Sequence, residues 1–168
     1  EPVMRDADIV SIDMKSIKAS ELGSRQKFSP NGFDGREICG ISRYAGISNK
    51  VSSFGIFEYK SSSEDEITEI LISQIIWYFI EGFNYRVLDS DFENEDDYNK
   101  FSVIVDEYEL TFIKNKLTSR WWIEILGEGI NTKLKHKSLL PCTGDDYEDA
   151  KNGKIPDRWI KAIKKNII

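Results

Sequence analysis

Asp8-Ile9-Val10-Ser11-Ile12-Asp13-Met14-Lys15 is a short, mostly apolar run that reaches a carboxylate and then, two residues later, a lysine. From Asp8 to Met14 it reads as a buried strand. In a parallel α/β sheet, side chains at the carboxyl ends of strands face the crevice where ligands bind. Asp13 is therefore a candidate metal ligand or catalytic base. Lys15 is a candidate source of the positive charge that a metal would otherwise bring.

The residues after this strand support a parallel sheet. Ser16 to Gly32 is a polar loop broken by Gly23, Pro30 and Gly32. Asp34, with Glu37 three residues on, forms the start of a helix carrying Ile38, Ile41 and Ala45 on one face, and Gly46 is expected to end it. Val51 to Tyr59, VSSFGIFEY, reads as the second strand. Ser63 with Glu66 is expected to cap a second helix, whose Ile67, Ile70, Leu71, Ile75, Tyr78 and Phe79 run to Gly82. Strand, helix, strand, helix predicts a right-handed parallel βαβ unit. Parallel strands are normally buried on both faces, so two of them imply a missing N-terminal segment or a homo-oligomer partner.

The pattern changes after residue 88, which divides the chain into an α/β part over 1–88 and an extension over 89–168. Phe101 to Val105, Glu109 to Lys114 and Arg120 to Leu126 read as three short strands, separated by turns at Asp106-Glu107 and Asn115 to Ser119 and closed by Gly127 and Gly129. An irregular segment with Pro141 and Cys142 comes next, then a helical turn near Asp145 to Ala150. Ile155-Pro156-Asp157 opens a last helix that buries Trp159, Ile160 and Ile163. The extension is expected to be an antiparallel β meander with a C-terminal helix, packed on the α/β part. Trp121 and Trp122 are adjacent on a strand and so point to opposite faces, which favours core packing over a ligand-stacking platform with Trp159 and Tyr147.

Composition narrows the function. The 168 residues are 40% hydrophobic, enough for a core, and carry a net charge of -6. A nucleic-acid partner is excluded on this balance, because phosphate neutralisation requires clustered Lys and Arg, and Lys133, Lys135 and Lys137 are only a short solvated edge. The acidic run Glu93, Glu95, Asp96, Asp97 lacks the glycine and spacing of a calcium loop. Cys39 and Cys142 form no CxxC pair and read as buried free thiols. No apolar run reaches the roughly 18 residues of a membrane span. Glu1 to Arg5 lacks the regions of a signal peptide, so a cytoplasmic location is expected. With no initiating Met, the chain is expected to be the C-terminal part of a longer protein.

EPVMRDADIVSID, SPNGFDGREICGISRYAGIS, SSFGIFEY and WYFIEGF, in this order, resemble the C-terminal half of the ureohydrolase family of arginases, agmatinases and formimidoylglutamases. The likeness is greatest to the formimidoylglutamase-like branch of Bacteroidetes type, which is also similar in the tail elements RWWIE and IPDRW. It covers nearly the whole chain. The resemblance implies an arginase-like parallel sheet with two Mn²⁺ ions at its carboxyl edge and hydrolysis of a formimino or guanidino C–N bond by a metal-bridging hydroxide. Two cations there lower the water pKa, position the nucleophile and stabilise the tetrahedral intermediate.

Carried over residue by residue, the resemblance makes Asp13 a metal ligand and Glu58 the carboxylate that pairs with a small cationic amidine or guanidine substrate. It places Asn31, in Ser29-Pro30-Asn31-Gly32, near that substrate. The family's second metal Asp is replaced by Lys15, and the sole histidine, His136, matches none of its ligands. The resemblance leaves two functions open. One is a formimidoylglutamase-like hydrolase in the full-length protein, with the remaining ligands on another segment and this segment alone inactive. The other is a catalytically degenerate pseudoenzyme serving as a binding or scaffold module, in which Lys15 pairs with Asp13 or Glu58.

Overall fold

The computed structural model describes residues 1–23, 29–60, 65–89, 92, 94–125 and 138–166. The chain divides into two compact units, Val3–Leu88 and Asp89–Ile168. Its class is α/β: a parallel pair of strands with helices in the first unit, and a four-stranded antiparallel sheet with helices in the second.

After a single turn α1 (Pro2–Arg5), the first unit runs β1 (Ile9–Asp13), α2 (Gly35–Ile47), β2 (Ser53–Phe57), α3 (Glu66–Asn84). The strands are in parallel register, with Ile9 opposite Ser53 and Asp13 opposite Phe57. Alternation along β1 turns Val10 and Ile12 inward and leaves Ile9, Ser11 and Asp13 exposed. Ile12 joins Met14, Ile17, Ile38, Cys39, Leu71 and Ile75 in one core. Each such large side chain stabilises the fold by roughly 1.5–3 kcal/mol when fully buried.

The expected cap of α2 is present. Asp34 accepts from the Glu37 N–H at 2.8 Å, and the Glu37 carboxylate accepts from the Asp34 N–H at 2.9 Å. The cap of α3 is not Ser63, which lies outside the described residues. Asp65, only 2% exposed, accepts from the Thr68 N–H, while the Thr68 hydroxyl accepts from the Gly23 N–H. Asp65 thus starts the helix, and Thr68 fastens the Gly23 loop to its first turn.

α2 ends one residue after Gly46 and α3 two after Gly82, close to the expected ends, and both glycines lie where the two helices touch. A Cβ on Gly46 would collide with the Phe79 carbonyl oxygen and sit 2.9 Å from Phe83 N; one on Gly82 would collide with the Arg43 carbonyl oxygen. The glycines are there because the two backbones approach too closely for a side chain.

In the second unit β3 (Tyr98–Val105), β4 (Tyr108–Asn115), β5 (Trp121–Ile125) and β6 (Ser138–Cys142) pair in chain order, all antiparallel. The segment expected to be irregular is therefore a strand, with Pro141 opposite Trp122. β6 lies at the edge of the described sheet, where a proline without an N–H is tolerated. The expected helical turn is a full helix, α4 (Gly144–Lys151), capped reciprocally by Thr143 and Asp146. α5 (Asp157–Asn166) is the last element. Leu110, Phe112, Ile123, Cys142, Ala150 and Trp159 form the core of this unit.

Trp121 and Trp122 do face opposite sides. Trp121 stacks on Tyr147 with ring centroids 4.9 Å apart, whereas Trp122 packs with Tyr98 and Ile113. The Trp159 indole N–H donates to the Glu124 carbonyl oxygen at 3.1 Å. These rings are packing elements. Arg120 and the buried Asp89 close the same unit with a 2.8 Å ion pair. His136, Lys133, Lys135, Lys137, Glu93, Gly127 and Gly129 lie outside the described residues.

Both cysteines are buried, and burial pushes the Cys39 thiol above its ordinary value. A thiolate is the reactive form, so neither is exposed for reaction in the folded chain. Titration with an aromatic disulfide reagent is expected to find both thiols slow in buffer and fast in guanidinium. No helix among the described residues is long and apolar enough to cross a membrane.

Candidate functional site

The parallel register carries β1 and β2 to a common carboxyl edge, and three of the charged groups singled out in the sequence stand there. Asp13 ends β1, Lys15 lies within a 3₁₀ turn (Met14–Ser16), and Glu58 is the first residue after β2. The Asp13 carboxylate caps that turn, accepting from the backbone N–H of Lys15 at 2.8 Å. The Lys15 side chain turns instead to Glu58: Nζ lies 2.8 Å from Oε2. Of the two partners open to Lys15 in the sequence, the fold selects Glu58, while Asp13 is engaged by the local turn.

Glu58 is held in an uncommon conformation. Its φ of 61° is in the left-handed region, which an L side chain enters at a cost of about 1–2 kcal/mol. The next residue, Tyr59, anchors the turn by donating its hydroxyl proton to Glu69 on α3 at 2.9 Å. Backbone strain that is held in place by surrounding contacts clusters at functional sites.

The Lys15–Glu58 pair is half exposed, with side-chain accessibilities of 56% and 48%. The hydrogen bond to Glu58 raises the Lys15 pKa above its ordinary 10.5; partial burial opposes this, and the charges of Glu58 and Asp13 add to it. A pKa raised on folding contributes stability below the unfolded value, lost as pH climbs through the folded one. The pair therefore favours the ammonium form of Lys15, and its contribution is lost as pH rises past the ordinary lysine range.

Asn31 lies in the loop that backbone bonds stitch to the chain just beyond Lys15. The Phe33 N–H donates to the Ser16 carbonyl at 2.8 Å, Lys18 to Phe33 at 2.9 Å and Ala19 to Ser29 at 3.0 Å. Gly32 permits this contact, since a Cβ there would run into the Ser16 carbonyl. Asn31 itself is exposed, and its N–H donates to the Ser29 hydroxyl at 3.2 Å.

The donor set does not fit a pair of Mn²⁺ ions. Hard carboxylates and imidazoles suit that cation, whereas a protonated lysine has no lone pair to give and repels a dication at contact distance. Of the three charged groups at the edge, one is an ammonium, and it holds one of the two carboxylates. Among the described residues, no three His, Cys, Asp or Glu side chains converge to hold a metal.

A concavity elsewhere in this unit was not singled out in the sequence. A cavity of about 540 Å³ is lined by Phe54 and Ile56 of β2, Ile72, Ile76 and Phe79 of α3, and Arg86. Arg86 is committed to the fold: it donates to the Gly46 carbonyl at 2.7 Å and the Val51 carbonyl at 2.9 Å, with its guanidinium 4.3 Å from the Phe83 ring centroid. Desolvation lowers its pKa from the ordinary value. The rest of the wall is mostly apolar, with Ser52 and Tyr59 as its other polar members. The clue was that apolar residues on α3 extend well beyond the face needed for one core.

No protein-family model matches this chain, and no curated protein matches it.

Proposed function

We propose that this chain is a ureohydrolase-like module whose catalytic crevice has been converted to a metal-free, charge-neutralised site, so that it serves in binding or as a scaffold rather than in hydrolysis. The observation that carries this reading is the 2.8 Å contact between Lys15 Nζ and Glu58 Oε2. In the resemblance, Glu58 is the group that receives a substrate's amidinium. Here it already has a cation from its own chain. A free amidine must displace that ammonium, which is covalently tethered beside it and therefore present at high effective concentration. Asp13 is left as a single carboxylate that caps a turn, next to a positive charge.

The hydrolytic reading remains as the competitor, because Glu58 is retained and its left-handed backbone is the kind of strain that a working site holds. The two separate by turnover. The intact protein, supplied with Mn²⁺ and formimidoylglutamate, agmatine or arginine, is expected to release neither formamide nor urea above the uncatalysed rate. Lys15→Asp is expected to leave that result unchanged, since one restored acid does not rebuild two metal positions. Turnover by the unaltered protein would overturn the proposal.

A further inference from the structure

Asparagine is followed by glycine at two places, Asn31-Gly32 and Asn152-Gly153, and the fold treats them differently. This dipeptide carries its own chemistry. The backbone nitrogen that follows an asparagine is placed to attack the side-chain amide carbon, Cγ. Glycine leaves that nitrogen unhindered, because it has no Cβ. Attack needs a nitrogen released from hydrogen bonding and an amide group able to turn towards it.

Asn152-Gly153 is closed to this reaction. Asn152 caps the C-terminus of α4, and its side-chain amide donates to the Glu148 carbonyl at 2.9 Å. The Gly153 N–H donates to the Ala150 carbonyl at 2.9 Å, and the Gly153 φ of 83° is the left-handed conformation that terminates a helix. Both reacting groups are held.

Asn31-Gly32 is open. Both residues are exposed. Among the described residues, no hydrogen bond holds the Asn31 side-chain amide or the Gly32 N–H. The bonds that stitch this loop to Ser16 and Ala19 use the Phe33 N–H and the Ser29 carbonyl, on either side of the dipeptide. The Asn31 N–H, donating to the Ser29 hydroxyl, fixes the backbone without engaging either reacting group.

We infer that Asn31 is a site of covalent modification, a succinimide-forming asparagine whose co-reactant is water. The Gly32 nitrogen bonds to Asn31 Cγ, the Cγ–NH2 bond breaks, and the Gly32 N–H proton leaves with that group as ammonia. Water then opens the ring at one of its two carbonyls. Attack at Cγ gives aspartate; attack at the backbone carbonyl gives isoaspartate, with the main chain routed through the side chain. Either product adds a carboxylate to the loop stitched to the chain just beyond Lys15. The isoaspartate form also lengthens the main chain by one carbon. Gly32 has no room for it, since it lies against the Ser16 carbonyl so closely that even a Cβ would collide. The longer chain is expected to break the Phe33–Ser16 and Lys18–Phe33 backbone bonds.

Ageing the whole folded chain in mildly alkaline buffer tests this, followed by proteolysis and mass spectrometry with fragmentation that separates aspartate from isoaspartate. Conversion is read at each asparagine as the exchange of NH2 for OH. Asn31 is expected to convert at least about tenfold faster than Asn152, the scale set by the two hydrogen bonds that must break at Asn152-Gly153. In guanidinium, where those bonds are gone, the two rates are expected to converge. Amide exchange of the isoaspartate fraction is expected to show lost protection at Lys18 and Phe33. Equal rates at the two sites in the folded chain overturn the inference. So does an Asn31 that converts only after unfolding, or a bias towards Asn31 that persists unchanged in guanidinium. Unaltered protection in the isoaspartate fraction overturns the effect on the loop.

Discussion

Replacing Gly46 with valine is expected to destabilise the Val3–Leu88 unit by about 3 kcal/mol or more, the upper range for overpacking a closed contact. The usual escape from a crowded core position is rotation of a neighbouring side chain. None is available here, because the atoms in the way are backbone: the carbonyl oxygen of Phe79 and the nitrogen of Phe83. Moving them means moving α3 off α2, which withdraws Leu71 and Ile75 from Ile38 and Cys39. For a unit of this size the loss lowers the melting temperature by roughly 15 °C. Amide hydrogen exchange is the direct readout, with protection expected to collapse in α2 and α3. Gly46→Val stability within about 0.5 kcal/mol of the original, the range of an ordinary surface substitution, would mean the helices do not meet at this point.

The second large effect belongs to the other unit. Phe112→Ala is expected to cost about 4 kcal/mol, the middle of the range for a fully buried phenylalanine. Phe112 has no exposed surface, lies edge-on to Tyr147 at 5.3 Å, and pairs across strands with Phe101 on one side and Ile123 on the other. Its removal opens a hole at the centre of the sheet and takes away the ring that holds Tyr147 against Trp121. Denaturant unfolding followed by tryptophan emission measures it, since Trp121, Trp122 and Trp159 are all in this unit. A loss below about 1 kcal/mol, the size of a deleted methylene, would contradict the placement of Phe112 in this core.

How much of this was legible in the sequence differs by kind of signal. The βαβα order was readable because each helix has an apolar period and α2 carries its own cap, Asp34 with Glu37. Helix ends were less so. Gly46 and Gly82 look like stop signals by local rules and do lie near the helix ends, but only the contact between the two helices explains why no side chain fits there. Ser63 with Glu66 matches a capping box by local rules, whereas Asp65, with Thr68 at the third position, does not, and only its burial beside the Gly23 loop shows it to be the cap of α3. β6 lacked a strand signature since its proline breaks the expected ladder, and only pairing with β5 makes it a strand.

The candidate site shows the same division. Asp13 and Lys15 could be named from the sequence because side chains at the carboxyl end of a parallel strand face a crevice, and Glu58 only through the resemblance. Which acid Lys15 would take could not, since both were open to it, and only the fold turns Asp13 to the backbone N–H of Lys15 and the Lys15 side chain to Glu58. On α3, whose apolar residues extend beyond the face that fills the core, periodicity alone does not separate the buried positions from the exposed ones.

The central claim is that an ammonium has taken the place of a metal at the carboxyl edge of the parallel sheet. Manganese content tests it most directly, measured by elemental analysis of the intact protein after expression with Mn²⁺ and removal of free ion. Retention of no manganese above the blank is predicted. About two Mn²⁺ per chain, the stoichiometry of a dinuclear hydrolytic site, would contradict it.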